Sequence, residues 1–151
     1  MVCGNSIKER KKDYYILKWL ENAEIKAYTY VFPCEDINKV IKALTNVVHG
    51  KIFSENVDPQ GNIKKLYTIS RGKEAILKIF NQFRSRRVLA ALRKHLLKYY
   101  KEDMILLYLH KQAAYVNVYS LCDVGESPLG EIVVEIKVEN PKDIIYYLTR
   151  F

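Results

Sequence analysis

The chain has 151 residues, of which 49% are hydrophobic and 28% charged, and it carries a formal net charge of +8. One domain is the default at this length, able to bury about 70% of the surface its unfolded chain exposes without a metal or disulfide staple. The composition excludes disorder as the main content. The longest apolar run, Met104 to Leu109, is too short for a bilayer, and charges occupy the N-terminus where a secretory leader needs an apolar stretch, so a cytoplasmic location without membrane contact is expected.

In chain order, residues 1–24 read as an N-terminal helical extension ahead of a single domain, 25–151. Ser6 is placed to cap a helix running into Tyr14, Tyr15, Ile16, Leu17, Trp19 and Leu20. Its aromatic half needs a surface to dock on, either the body or a second copy. The acids Glu9, Asp13, Glu21 and Glu24 oppose binding to anionic lipid. Ile25 to Phe32 has strand composition and stops at Pro33. Glu35 to Val48 follows a helical period, with Glu35 and Asp36 where carboxylates complement a helix dipole. That acid pair invites an acid/base role, yet capping and the helix dipole are the stronger account of it. Lys51 to Val57 and Leu66 to Ser70 form a hairpin about the type I turn Asp58-Pro59-Gln60-Gly61.

The next stretch holds the charge. Residues 71–101 contain ten Lys/Arg and one acid, Glu74, so the remainder of the chain is close to neutral. Arg84 to Lys101 is expected to be one long amphipathic helix, the longest of the body. Val88, Leu89, Leu92, Leu96, Tyr99 and Tyr100 fall within a roughly 120° arc, opposite Arg86, Arg87, Arg93, Lys94, Lys98 and Lys101. A solvated helix face is the plain reading of such a run. Confinement of the net charge to one segment instead points to an anionic partner, nucleic acid first.

Met104 to Leu109 is apolar without alternation, as in a strand covered on both faces or lying centrally. Residues 110–121, HKQAAYVNVYSL, read as a further strand. Glu131 to Glu139 alternates strictly, with Ile132, Val134, Ile136 and Val138 inward. Asn140-Pro141 starts a last short helix. The order β-α-β-β-α-α-β-β-β-α with short connections predicts an α+β fold: a two-layer sandwich of a mainly antiparallel sheet with helices packed on one face.

Four motifs carry a resemblance: Pro33-Cys34-Glu35-Asp36, the FRSRRVLAALR run at 83–93, His110-Lys111-Gln112-Ala113-Ala114, and Glu126-Ser127-Pro128-Leu129-Gly130. In order and spacing, over about residues 25–150, they resemble an uncharacterised archaeal protein family predicted to bind RNA. The resemblance implies a fold like that of the ribosomal protein that binds 5S RNA, and it implies no activity. The chain departs from the family pattern at His110, where Asn is usual, at Cys34, where Thr is usual, and at Ala90, where an acid is common.

Lys111 and Gln112 could offer a phosphate contact and an amide to RNA, with a base stacked near Tyr115; tight packing around Ala113-Ala114 is the structural alternative. The SPLG loop is first a matter of backbone geometry. The twelve tyrosines are spread over many elements and read as core-edge residues rather than a stacking platform. Phosphate-loop, dinucleotide, nucleophile-elbow and zinc-protease motifs are absent, and Cys3, Cys34 and Cys122 form no CxxC pair, so no catalytic residue, cofactor or metal is expected. The expected contacts to structured RNA are Arg84, Arg86, Arg87, Arg93, Lys94 and Lys98, with Lys111, Gln112 and Tyr115 near the same site. The competing expectation is an interaction subunit whose basic helix meets an acidic protein. Self-association, a dimer in the first instance, is expected from open sheet edges and the aromatic N-terminal segment.

Overall fold

A computed structural model describes residues 14–127 and 129–150. Five strands, β1 (Glu24–Val31), β2 (Phe53–Asn56), β3 (Lys64–Arg71), β4 (Met104–His110) and β5 (Glu131–Lys137), form one sheet in the order β2-β3-β1-β5-β4, antiparallel throughout. The helices are α1 (its described part 14–21), α2 (Ile37–Val47), α3 (Lys73–Ser85), α4 (Leu89–Tyr99), α5 (Lys111–Tyr115) and α6 (Pro141–Leu148). The fold is the expected α+β sandwich. Strand alternation explains why: Ile25, Ala27, Thr29 and Val31 of β1, and Ile132, Val134 and Ile136 of β5, turn one sheet face inward. Helix residues Val40, Leu44, Ile76, Phe80, Leu92, Leu96, Ile144 and Ile145 close over that face in a single core. The opposite face carries the other parity, and among the described residues no helix closes over it.

The type I turn forms as expected, with Gly61 N–H donating to Asp58 O at 3.1 Å and Ile63 N–H to Asp58 Oδ1 at 3.0 Å. Asp36 caps α2 by accepting from Asn38 N–H at 2.9 Å. Ile16 and Leu20 of α1 are 1% and 0% exposed, so that segment docks on its own chain, while Tyr14 and Tyr15 stay exposed. The expected Ser6 cap lies outside the described residues. Ile16 and Leu20 therefore need no second copy to cover them. β4 offers little as an edge, because His110 N–H donates to Ser120 O and Cys122 N–H to Tyr108 O.

Two expectations fail. The single helix over 84–101 is two helices, and among the helices described in full the longest is α3, with 13 residues. The break is a Schellman motif: Val88 N–H donates to Phe83 O at 3.3 Å and Arg87 N–H to Arg84 O at 3.1 Å, with Arg87 in the left-handed region at φ 57°. The wheel assignment survives the break for Leu89, Leu92 and Leu96, which are buried, and for Val88, which packs against the core, but not for Tyr100, which lies past the end of α4 and is exposed. Residues 111–115 are helix rather than strand, and their segment rejoins the sheet only at the Leu109–Leu121 bridge. Of the two readings of the apolar run, β4 fits the strand covered on both faces: it is an edge strand, yet Leu106 is 5% exposed even on the open face.

Candidate nucleic-acid interface

The basic residues gather where α3 meets α4 and the C-terminal end of α6. Arg84 Nη2 donates to Leu148 O at 3.0 Å. Arg93 donates from Nε to Thr149 Oγ1 at 2.8 Å and from Nη2 to Thr149 O at 2.9 Å, and its guanidinium lies 5.2 Å from the centre of the Tyr146 ring. These cations satisfy carbonyls at or just beyond the end of α6, where the helix dipole is negative. Arg86 donates to Tyr119 O. Arg84, Arg87, Leu89 and Arg150 line an open cavity of about 650 Å3. A guanidinium has five N–H donors, so a bond or two to carbonyls pins the group and leaves others to point outward. Arg84, Arg86, Arg87 and Lys94 are exposed.

Further along α4, Lys98 Nζ pairs with Asp123 Oδ1 at 3.3 Å, and Tyr99 donates to the same oxygen at 2.6 Å. The hydrogen bonds from Tyr99 and Lys98 hold the Asp123 carboxyl below its ordinary range. Beneath them His95, 8% exposed, accepts from Tyr108 N–H at 3.2 Å through Nε2. Burial pushes its pKa down to about 4, so the imidazole is neutral.

Lys111 is elsewhere and enclosed. At 3% exposure its ammonium meets Tyr30 O and Leu129 O, both at 2.7 Å, and Glu35 Oε1 and Oε2 at 3.0 and 3.1 Å. Every donor is engaged, so Lys111 has none for a phosphate; it ties β1, the turn before α2, α5 and the 126–130 loop together. Desolvation lowers its pKa and the Glu35 carboxylate opposes that. Glu35 also accepts from Phe32 N–H at 3.1 Å, which uses the carboxylate structurally. Gln112 is exposed and Tyr115 half-buried with Lys42 Nζ 4.8 Å from its ring centre. Both line a separate cavity of about 420 Å3 with Cys34, Glu35, Asp36 and Lys39. The expectation that 111, 112 and 115 join the arginine site is therefore not met, as no residue lines both cavities.

The open sheet face holds what the sequence reading passed over. Register aligns Phe53 with Tyr67, Tyr67 with Tyr28, Tyr28 with Val133 and Val133 with Tyr108, a row crossing all five strands. Phe53 stacks on Tyr67 at 5.3 Å, and Tyr28 meets Tyr30 edge-on at 6.2 Å. Burial, then the Glu135 carboxylate, pushes the Tyr28 phenol up to about 12. The available signal was the alternation of Tyr28, Tyr30 and Tyr67 against buried neighbours, but only strand pairing aligns them.

A family model described as RNA binding matches residues 24–139. Among known proteins, a UPF0201 protein of Methanopyrus kandleri is 38% identical over 120 residues, covering 77% of this chain and 76% of that protein. A UPF0201 protein of Pyrococcus abyssi is 35% identical over 125 residues, covering 83% and 88%. The chain belongs to this archaeal family. In the family the fold is shared: the crystal structure of a UPF0201 protein from Methanococcus jannaschii superimposes with a TM-score of 0.71 at 27% identity, over 84% of this chain and 99% of that one. Among the described residues no group of His, Cys, Asp and Glu could hold a metal ion, and no helix is long and apolar enough to cross a membrane.

Proposed function

We propose that this protein binds structured RNA through the corner where α3 meets α4. The observation that carries the reading is Arg87, held in the left-handed conformation at the helix junction with Arg84 and Arg150 around the same cavity. A non-glycine residue in that conformation costs about 1–2 kcal/mol, and glycine is the usual occupant of this position in the motif. Arginine there sacrifices stability to present a guanidinium at an apex, a pattern found where function retains strain. Arg84, Arg86 and Arg93 flank it already oriented, so a phosphate contact orders little that is not ordered in the free protein. Lys94 continues the positive surface along α4, and Lys98 follows it, there paired with Asp123.

The family description supports RNA as the class of partner. Phosphate contacts of this kind set register and supply affinity with modest sequence preference. The experiment is RNA retention by the wild type and by Arg87→Ala/Lys94→Ala, two exposed residues. Loss of RNA by a variant of unchanged stability supports the reading. Unchanged retention overturns it and moves an acidic protein partner ahead.

A further inference from the structure

On the open sheet face, aromatic rings and lysines alternate across neighbouring strands. Lys65 Nζ lies 4.5 Å from the Tyr28 ring centre, and Lys26 Nζ lies 5.2 Å from that of Tyr67 and 5.9 Å from that of Tyr28. Lys51 Nζ is 5.5 Å from the Phe53 ring, and Phe53 itself is 40% exposed. Tyr28 and Tyr67 are half-buried, with the lysine ammoniums over their rings. We propose that β2, β3 and β1 present a stacking platform for a single-stranded RNA segment, with bases on Phe53, Tyr67 and Tyr28 and the intervening phosphates taken by Lys26 and Lys65.

The chemistry favours that occupant. A base displacing an ammonium from a ring gives up an exposed cation–π contact worth about two- to fivefold in affinity. It gains a stacking contact worth about five- to a hundredfold, and the released ammonium remains one side-chain length away for the phosphate. Sheet faces with two or three exposed rings hold bases this way in other RNA-binding modules. Glu135 of β5 is cross-strand from Lys26 and Glu55 of β2 from Lys65, so it is the rings of Phe53, Tyr67 and Tyr28 that place the strand over β2, β3 and β1. A second copy of the chain fits less well, because an interface here would desolvate Lys26, Lys65 and Glu135 together. Rigid duplex RNA cannot present its base faces to the rings.

The inference rests on the RNA-binding reading but uses a different face, and the experiment separates the two. Fluorescence anisotropy is measured with a blunt RNA hairpin and with the same hairpin carrying an eight-nucleotide uridine tail. The wild type should bind the tailed RNA at least tenfold more tightly. Tyr28→Leu/Tyr67→Leu should remove that advantage and leave blunt-hairpin affinity unchanged, whereas Tyr28→Phe/Tyr67→Phe should retain it. Arg87→Ala/Lys94→Ala should weaken both RNAs and preserve their ratio. With the unaltered protein, a tail containing 4-thiouridine should crosslink to Tyr28, Tyr67 or Phe53. Equal affinity for the two RNAs, crosslinks confined to α3 and α4, or a wild-type dimer that the leucine variant dissociates without loss of tail binding would each overturn the platform.

Discussion

Lys111 and Glu35, 76 residues apart in the chain, meet as an ion pair at 3.0 Å with side chains only 4% and 8% exposed. Three of the four motifs that carry the family resemblance supply the pair and its surroundings, because Leu129 and Tyr30 give the remaining acceptors. Removing one partner strands a buried charge. Lys111→Met should therefore destabilise the protein by about 3–5 kcal/mol. Lys111→Met/Glu35→Met should recover only part of that, because Phe32 N–H loses its acceptor and Tyr30 O and Leu129 O lose their donor, each costing about 1 kcal/mol. Urea denaturation of the two variants and the wild type measures the cycle.

Arg93 and Lys94 are neighbours on α4 with opposite tasks. Arg93 holds Thr149, itself fully buried, through two charge-assisted bonds, so Arg93→Ala should cost about 2–3 kcal/mol and loosen α6. Lys94→Ala should change stability by no more than about 0.5 kcal/mol. Thermal denaturation of the single variants distinguishes a structural cation from a surface one.

Arg87→Gly separates stability from binding. Glycine accepts φ 57° without the steric cost, so the variant should be more stable by about 0.5–1 kcal/mol after its own chain entropy is counted. Its RNA affinity should fall about three- to tenfold through the missing phosphate contact. Denaturation and anisotropy on one preparation test both halves.

His95 makes stability depend on pH. The unfolded chain takes up a proton near pH 6.5 while the folded imidazole, buried on the Tyr108 amide, resists protonation until about 4. Between those values the unfolded state binds more protons, so stability falls as pH falls. The loss is about 3 kcal/mol, essentially complete by pH 4. Replacement by glutamine, neutral and able to accept from the same amide, should flatten that part of the profile in denaturation curves taken from pH 7 to 4.

The inward faces of α4 and β5 were legible because periods of 3.6 and 2 repeat at Leu89, Leu92 and Leu96 and at Ile132, Val134 and Ile136. The break at Arg87 was not, since the motif that ends α3 usually announces itself with glycine. HKQAAYVNVYSL alternates like a strand, yet burial of the Lys111 ammonium against β1 and the 126–130 loop fixes 111–115 as a helical turn. That is tertiary contact overriding a local pattern. Likewise no local pattern shows that Arg84 and Arg93 reach the end of α6. The charge count located the basic surface and could not tell its anchors from its free ends.

The central claim is that the α3–α4 corner binds RNA phosphates, and the salt dependence of affinity tests it most directly. With about four to six contacts, a plot of log affinity against log salt concentration should have a slope on the order of −3 to −5. Arg87→Ala/Lys94→Ala should flatten it by about two units, one for each contact removed, with the fold unchanged. A variant that keeps wild-type affinity and slope would contradict the account and leave this corner as a solvated surface that braces α6.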